Sequence, residues 1–536
     1  MRPQFLERLY SLRALIPAVL LGALAFVLAC QPLSDYDVWW HVRTGEWILA
    51  HHHVPDLDPF TFGSADQHWI DLHWLFQIGL ALVFRAGGVP GTILLTAALA
   101  AIAVVIAVNN VRQPTSWTAV LLVWVPALVL AQSRFRPRPE MVTLLCLAAF
   151  LAVLSQVERR PRLSWLLPVI QLLWVNSHGL FVLGPIVLSF WLIDRLARRW
   201  TQAAAQPLDG LHREPPSRTS RPAVIRIGLA SLGVVLACWC SPYGHKGAVF
   251  PFVLYPKVTE AGNPYKEYID EFVSPQQFYL HPTQRLAQAP LLGCFHFLLL
   301  FLPVSFVLPP IWRSAGVAFK TLDNRVTAGS LAGMGVLIAL VFLLVVNVLA
   351  VLMPHPPAAL AGIGKAAPVL VLLTGVAGGL CLKSRSRMGA CLSAVTGIAL
   401  MAWMVWLADR LTNSTSPGRP MIVLVGLLAL LAGASAAFLA WRLGMSLFGI
   451  LLAGAFGYLA WQATNSLSRF GLVAGMLMAW NLGPWIAELV AGLGTPSWQR
   501  WLRWVPPTAA SALLAAWGWA AGTDHYPRWL NQFPPP

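Results

Sequence analysis

Asp35, Asp37, His41, Arg43 and Glu46 fall within twelve residues, DYDVWWHVRTGE, directly after a wholly apolar run. Two carboxylates two positions apart can accept a proton from an incoming hydroxyl, or together hold a divalent cation. At helical spacing Asp37, Trp40, His41 and Thr44 share a face, so Asp37 can begin an interfacial helix. The competing role for Asp37 is to cap that helix. Asp58, in PDLDP, adds a further carboxylate to the same segment.

A second cluster is RFRPRPE, from Arg134 to Glu140, at the start of an apolar run. Arg134, Arg136 and Arg138 suit a phosphate clamp, because a planar guanidinium matches phosphate oxygens. Their alternative is interfacial snorkelling. Glu140 caps the following helix or supplies another acid. A third cluster is WVNSHG, where Asn176 and His178 separate two apolar runs. Polar groups at that depth face a cavity or form a hydrogen-bonded turn. Six of the 13 histidines lie between His41 and His73, but neither the run His51–His53 nor HWIDLH has the spacing of a zinc site. Which metal, if any, the chain holds is left open; a divalent cation near Asp35 and Asp37 is the one candidate.

The elements that must position these residues are apolar. The 536-residue chain is 57% hydrophobic and 11% charged, far below the roughly 25% charge of soluble domains. Mean hydropathy is +0.65. Continuous apolar runs of about 17–24 residues recur, each able to cross a hydrocarbon core of roughly 30 Å. The expected fold is an all-α polytopic membrane protein with about 13–15 transmembrane helices. The net charge of +16 is read as cytoplasmic Lys and Arg rather than nucleic-acid binding. ERRPR at 158–162, the arginines of 195–226, KSRSR at 383–387, and Arg500 with Arg503 all fall inside on this topology. It places the N-terminus in the cytoplasm and the C-terminus outside, in the plasma (inner) membrane.

The expected organisation is a first, uncleaved transmembrane helix at 1–31 and a first outer loop at 32–88 with interfacial helices, 70–85 lying flat rather than crossing. A transmembrane core follows at 89–241, carrying a cytoplasmic linker at 197–223. Then come a second outer loop at 242–289, a C-terminal bundle at 290–521 and a Pro-rich outer tail at 522–536.

Loop one reads D-x-D-x-W-W-H-x-x-x-G-E-x-I, then V-P-D-L-D-P-F-T-F, H-W-I-D-L-H-W-L-F and G-G-V-P-G. With R-P-R-P-E-M, W-V-N-S-H-G-L-F-V-L-G and C-S-P-Y-G, this resembles the glycosyltransferase C superfamily, the polyprenyl-phosphate-sugar-dependent membrane glycosyltransferases of bacteria. The resemblance covers roughly 32–290. It implies a helical bundle in which Asp37, or next Asp35, is the base toward the acceptor, and Glu140 is a second acid. It also implies that Arg134, Arg136 and Arg138 neighbour the donor phosphate, and that His41, Asp58, Asn176 and His178 line the cavity. The implied partners are a polyprenyl-phosphate sugar and membrane lipid. Two other functions fit the same pattern. One is a non-catalytic scaffold or accessory subunit of a membrane complex; the other is a lipid or solute transporter. The collection of polar groups at one face, rather than along a crossing path, counts against transport.

Overall fold

The computed structural model describes residues 3–64, 67–110, 117–204, 221–259, 269–275 and 446–492, with parts of 278–306. The described residues are helical, with no strand and a single isolated bridge between Leu57 and His68. The chain divides into two compact units, 1–298 with 452–536, and 299–451. The apolar runs expected at 329–352, 366–382, 389–408, 420–441 and 504–521, and the tail at 522–536, lie outside the described residues.

In the first unit, α1 (Pro3–Ala29) leads through a short apolar and polar link to α2 (Asp37–His51). The long element α3 (Trp74–Asn109) follows. Then come α4 (Trp117–Ala131), α5 (Glu140–Gln156), α6 (Leu166–Val175), α7 (Leu183–Ala204), α8 (Arg221–Ala237) and α9 (Gly244–Thr259). Two helices near the end, α10 (Leu447–Gln462) and α11 (Leu467–Gly492), are joined by a single turn at Thr464–Ser466. α11 packs along α4. It therefore belongs with the N-terminal elements rather than with a separate bundle over 290–521.

α3 is two helices. Gly88 breaks it at φ 57°, ψ −148°, a conformation that glycine adopts without the penalty a Cβ would bring. The bend is sharp. A Cβ built on Gly91 would lie 3.1 Å from the Val83 carbonyl oxygen, whereas eight residues of straight helix span about 12 Å. The first half, Trp74 onward, lies against α2, so the element expected at 70–85 is present and turns off the following apolar helix.

α2 is seated on this first half by Val38 and Val42 packing on Phe76 and Leu80. Gly45 lets the two backbones meet: a Cβ there would lie 2.1 Å from the Gln77 carbonyl oxygen. At the other end of the chain's polar stretch, α7 continues to Ala204 and α8 begins at Arg221, so most of the expected 197–223 linker is either helix or outside the described residues. The segment expected as a second outer loop, 242–289, carries a helix of its own, α9.

Two helices are long and apolar enough to cross a membrane, Trp74–Asn109 and Gly179–Arg199. Shorter apolar helices accompany them at Ile16–Ala29, Glu140–Gln156, Pro161–Val175 and Pro222–Ala237. α8 is apolar on both sides. It buries Ala223, Ile227, Ala230 and Val234, and leaves Ile225, Leu229, Leu232 and Leu236 each more than half exposed.

Candidate functional site

The turn before α5 gathers arginines and carboxylates from four parts of the chain. In RFRPRPE, Pro137 and Pro139 remove two backbone donors and restrict the residues before them. The stretch coils tightly: the Arg136 N–H donates to the Arg134 carbonyl at 2.9 Å, and the Arg138 N–H to the Arg136 carbonyl at 2.7 Å. Arg134 grips Glu140 in a two-pronged pair, Nε to Oε2 and Nη2 to Oε1, both 3.0 Å. Arg138 grips Asp35 through Nε to Oδ2 and through Nη2 to Oδ1 at 2.8 Å. The same Nη2 is 2.8 Å from Asp37 Oδ2. Glu271, in the single turn Asp270–Phe272, bridges both arginines: its Oε1 accepts from Arg134 Nη1 at 2.9 Å and Arg138 Nη1 at 2.6 Å.

The two neighbouring aspartates have different surroundings. The Asp35 side chain is 4% exposed and that of Asp37 is 62% exposed. Burial alone would raise the Asp35 carboxyl, but the hydrogen bonds and charge of Arg138 outweigh it and hold the group below its usual range. Asp35 also accepts the Asp37 backbone N–H at 3.1 Å. The stabilisation of the α2 start therefore comes from Asp35. Asp37 is the first helical residue, does not cap, and keeps Oδ1 without a hydrogen-bond partner among the described residues. Glu140 likewise begins α5, where a negative charge suits the helix dipole, but it is engaged by Arg134.

Arg136 has no ion-pair partner among the described residues. With Asp35, Phe135 and Pro137 it lines a small pocket that also meets Ile93 and Thr96 of α3. Arg469 of α11 enters from another side. It is buried, and its Nη2 donates to Ser466 Oγ at 3.1 Å and Asn465 Oδ1 at 3.3 Å. Its Nη1 is buried without a hydrogen bond.

Beside this arginine cluster lies a histidine cluster. His41, His73 and His178 come from α2, the residue before α3, and the α6–α7 turn. Ring centroids are 5.8 Å apart for His41 and His73, and 5.3 Å for His73 and His178. The buried carboxylate of Asp71 accepts the His73 backbone N–H at 3.0 Å and the Gln77 Nε2 hydrogen at 3.3 Å. Gln77 Nε2 is also 3.3 Å from His41 Nδ1. Trp174 Nε1 donates to Thr143 Oγ1 at 2.8 Å, and that hydroxyl lies 2.7 Å from His178 Nδ1. The Thr143 hydroxyl, already accepting, has its own proton for a neutral imidazole nitrogen. Burial pushes His41 down to about 3 and His178 well below its ordinary range, with the neighbouring His73 acting in the same direction.

The expected site residues thus separate. Asp35, Asp37, Glu140, Arg134 and Arg138 share one network, with Arg136 beside it. His41 and His178 join through His73, which the sequence reading had left aside along with Asp71. Asn176 is structural: it accepts from Trp74 Nε1 at 3.0 Å and donates to the carbonyls of Leu172 and Cys240 at 2.8 and 2.9 Å. Asp58 turns into its own loop, its Oδ1 accepting the backbone N–H groups of Phe60 and Thr61 at 2.9 and 3.2 Å. Glu271 is the functional-site residue the sequence reading missed. Its only signal was a carboxylate in an aromatic-rich outer loop.

The Arg138 guanidinium bridges Asp35 and Asp37, the two carboxylates read from the sequence as the candidate cation site. Among the described residues no group of three or more His, Cys, Asp or Glu side chains is placed to hold a metal ion. No family model matches the chain, and neither a curated protein nor a solved structure matches it.

Proposed function

We propose that the chain is a multi-pass inner-membrane glycosyltransferase that moves a sugar from a polyprenyl phosphate to an acceptor at the outer face. The observation that carries this reading is the buried arginine cluster, which ends in one exposed carboxylate, Asp37. A membrane setting is supported by the outward faces of the helices. Only 44% and 39% of the apolar windows of Trp74–Asn109 and Gly179–Arg199 are buried within the protein, whereas the core helix of a soluble protein is mostly buried. The apolar exposed side of α8 points the same way.

In this reading the acceptor hydroxyl gives its proton to the free Oδ1 of Asp37. Its oxygen attacks the anomeric carbon, and the bond from that carbon to the phosphate oxygen breaks. Negative charge grows on the departing lipid phosphate. Arg136, which is not spent on a carboxylate among the described residues, is a cation of the same cluster able to receive it, and such stabilisation lowers the barrier. Asp35 keeps Arg138 in place rather than taking a proton.

The test uses the purified full chain in lipid nanodiscs with a panel of polyprenyl-phosphate sugars. Asp37→Asn lowers turnover by about 100-fold or more. Asp35→Asn lowers it through displaced Arg138. Unchanged turnover in Asp37→Asn sinks the assignment. The second reading, a non-catalytic accessory subunit, draws on the engagement of Asp35 and Glu140 by arginines. It predicts no turnover in the native chain with any donor of the panel.

A further inference from the structure

Arg134 and Arg138 are both held from behind. Arg134 spends Nε and Nη2 on Glu140, and Arg138 spends Nε and Nη2 on Asp35. One edge of each guanidinium remains, and both Nη1 atoms point at a single position, occupied by Glu271 Oε1 at 2.9 and 2.6 Å. Two fixed cationic donors converging on one oxygen is an arrangement built for an oxyanion. The rear carboxylates make it rigid, so the donors stay aimed whoever occupies the position.

The present occupant comes from elsewhere. Glu271 belongs to neither α2 nor α5 but to the turn Asp270–Phe272. That turn is fixed by its backbone: Thr464 Oγ1 donates to the carbonyls of Asp270 and Glu271 at 3.0 and 3.2 Å, and the Thr464 N–H to the Val273 carbonyl at 3.0 Å. The side chain is joined to the arginines alone. Its Oε2 makes no hydrogen bond among the described residues, and the side chain is 24% exposed, against 9% for Arg134. The carboxylate can therefore swing out to water without disturbing its own turn or the Glu140 and Asp35 pairs.

We infer that Glu271 is an intramolecular stand-in for a phosphate group, which displaces its carboxylate from Arg134 Nη1 and Arg138 Nη1. This rests on the reading of these arginines as neighbours of the donor phosphate. Glu271 then determines specificity by competition. A ligand must bring at least a comparable anionic oxygen to the two Nη1 donors, so a lipid phosphate enters and a neutral lipid alcohol does not. A phosphate monoester offers a second charge and more acceptor oxygens than a carboxylate, a sugar phosphodiester gains that charge as the sugar leaves, and Arg136, free of an ion pair among the described residues, stands in the same cluster.

The test is a binding measurement with no sugar transfer in it. The purified full chain in nanodiscs is titrated with farnesyl phosphate, inorganic phosphate and farnesol. Glu271→Gln and Glu271→Ala bind farnesyl phosphate at least about tenfold tighter than the native chain, as expected when a charge-assisted hydrogen bond no longer competes. Farnesol gains far less than farnesyl phosphate, and adding Arg134→Gln to Glu271→Gln cancels the gain. A gain shared by inorganic phosphate assigns the position to the phosphate alone; a gain confined to farnesyl phosphate assigns it to the lipid-borne group. Equal or weaker farnesyl phosphate binding in folded Glu271→Gln, checked by size exclusion, overturns the inference and marks Glu271 as a structural tie. That result leaves the transferase reading standing if turnover persists. Tighter binding in a chain that transfers no sugar keeps the stand-in and removes the transferase.

Discussion

The arginine–carboxylate cluster and the histidine cluster adjoin across α2, yet they solve burial in opposite ways. Asp35 and Arg138 keep their charges and meet them with direct pairing. His41 and His178 give up charge altogether and hydrogen-bond as neutral rings, to Gln77 and Thr143. The difference follows from proton affinity. A guanidinium cannot shed its proton, so its burial at Arg134 and Arg138 is met by carboxylates. An imidazole can, so desolvation is met by deprotonation. The two clusters are electrically coupled all the same: Arg138 and Asp35 act on His41, and Glu140 and Arg469 act on His178.

The comparison breaks most visibly at Arg138. Arg138→Leu strands the buried Asp35 carboxylate and costs about 3–5 kcal/mol of stability. The double variant with Asp35→Asn recovers part of this, because both charges go together. Thermal unfolding in detergent reads both. By contrast His178→Phe strands no charge and costs about 1 kcal/mol. Equal losses for the two single variants would show that the clusters do not differ as described.

The next largest effect tests the hinge between them. Gly45→Ala puts a methyl group into the Gln77 carbonyl and pushes α2 off α3, for about 1–3 kcal/mol. Both clusters loosen together, since α2 carries Asp37 to one and His41 to the other. Unfolding midpoint and Asp37-dependent turnover therefore fall in step.

A further effect is a pH dependence that separates the clusters. The His41 pKa is about 3 in the folded chain against an ordinary 6.5. Between those values the unfolded chain takes up a proton that the folded chain refuses. Stability is therefore full above pH 6.5 and falls as pH drops through this window. The Asp35 carboxyl is lowered below its ordinary 3.8, so its contribution is present above that value and is lost only as pH falls beneath it. On acidification the histidine cluster weakens first. Unfolding midpoints measured from pH 7.5 to 4 slope downward in the native chain and less steeply in His41→Phe, where His178 alone of the two remains. An unchanged slope in that variant would assign the acid lability elsewhere.

Much of this was legible in the chain. Asp35, Asp37, the three arginines and Glu140 stood out because charge beside a long apolar run is costly and needs a purpose. The break ahead of the second apolar run was legible too, in the glycines and proline of GGVPG, and Gly88 supplies it. Glu271 was not legible: nothing local sets DEF apart from other acidic loop residues, and its partners lie 133 and 137 positions away. Asn176 and Asp58 carried the right residue types, but Asn176 ties Trp74 to the Leu172 and Cys240 carbonyls and Asp58 accepts the N–H groups of its own loop.

What the sequence determined by itself is the material and its placement along the chain. It set continuous apolar helices, an acidic and aromatic link after the first of them, and an Arg-Pro alternation that coils because proline removes donors and limits φ. Which charges neutralise which was decided only by tertiary structure. Arg138 reaches Asp35 across 103 positions. The choice between Asp37 and Asp35 as the exposed carboxylate turns on a single helical step. Local spacing governs neighbours three or four residues apart. Pairings over a hundred residues are set by how α2, α3 and α5 pack, and that packing buries Asp35 and leaves Asp37 facing water.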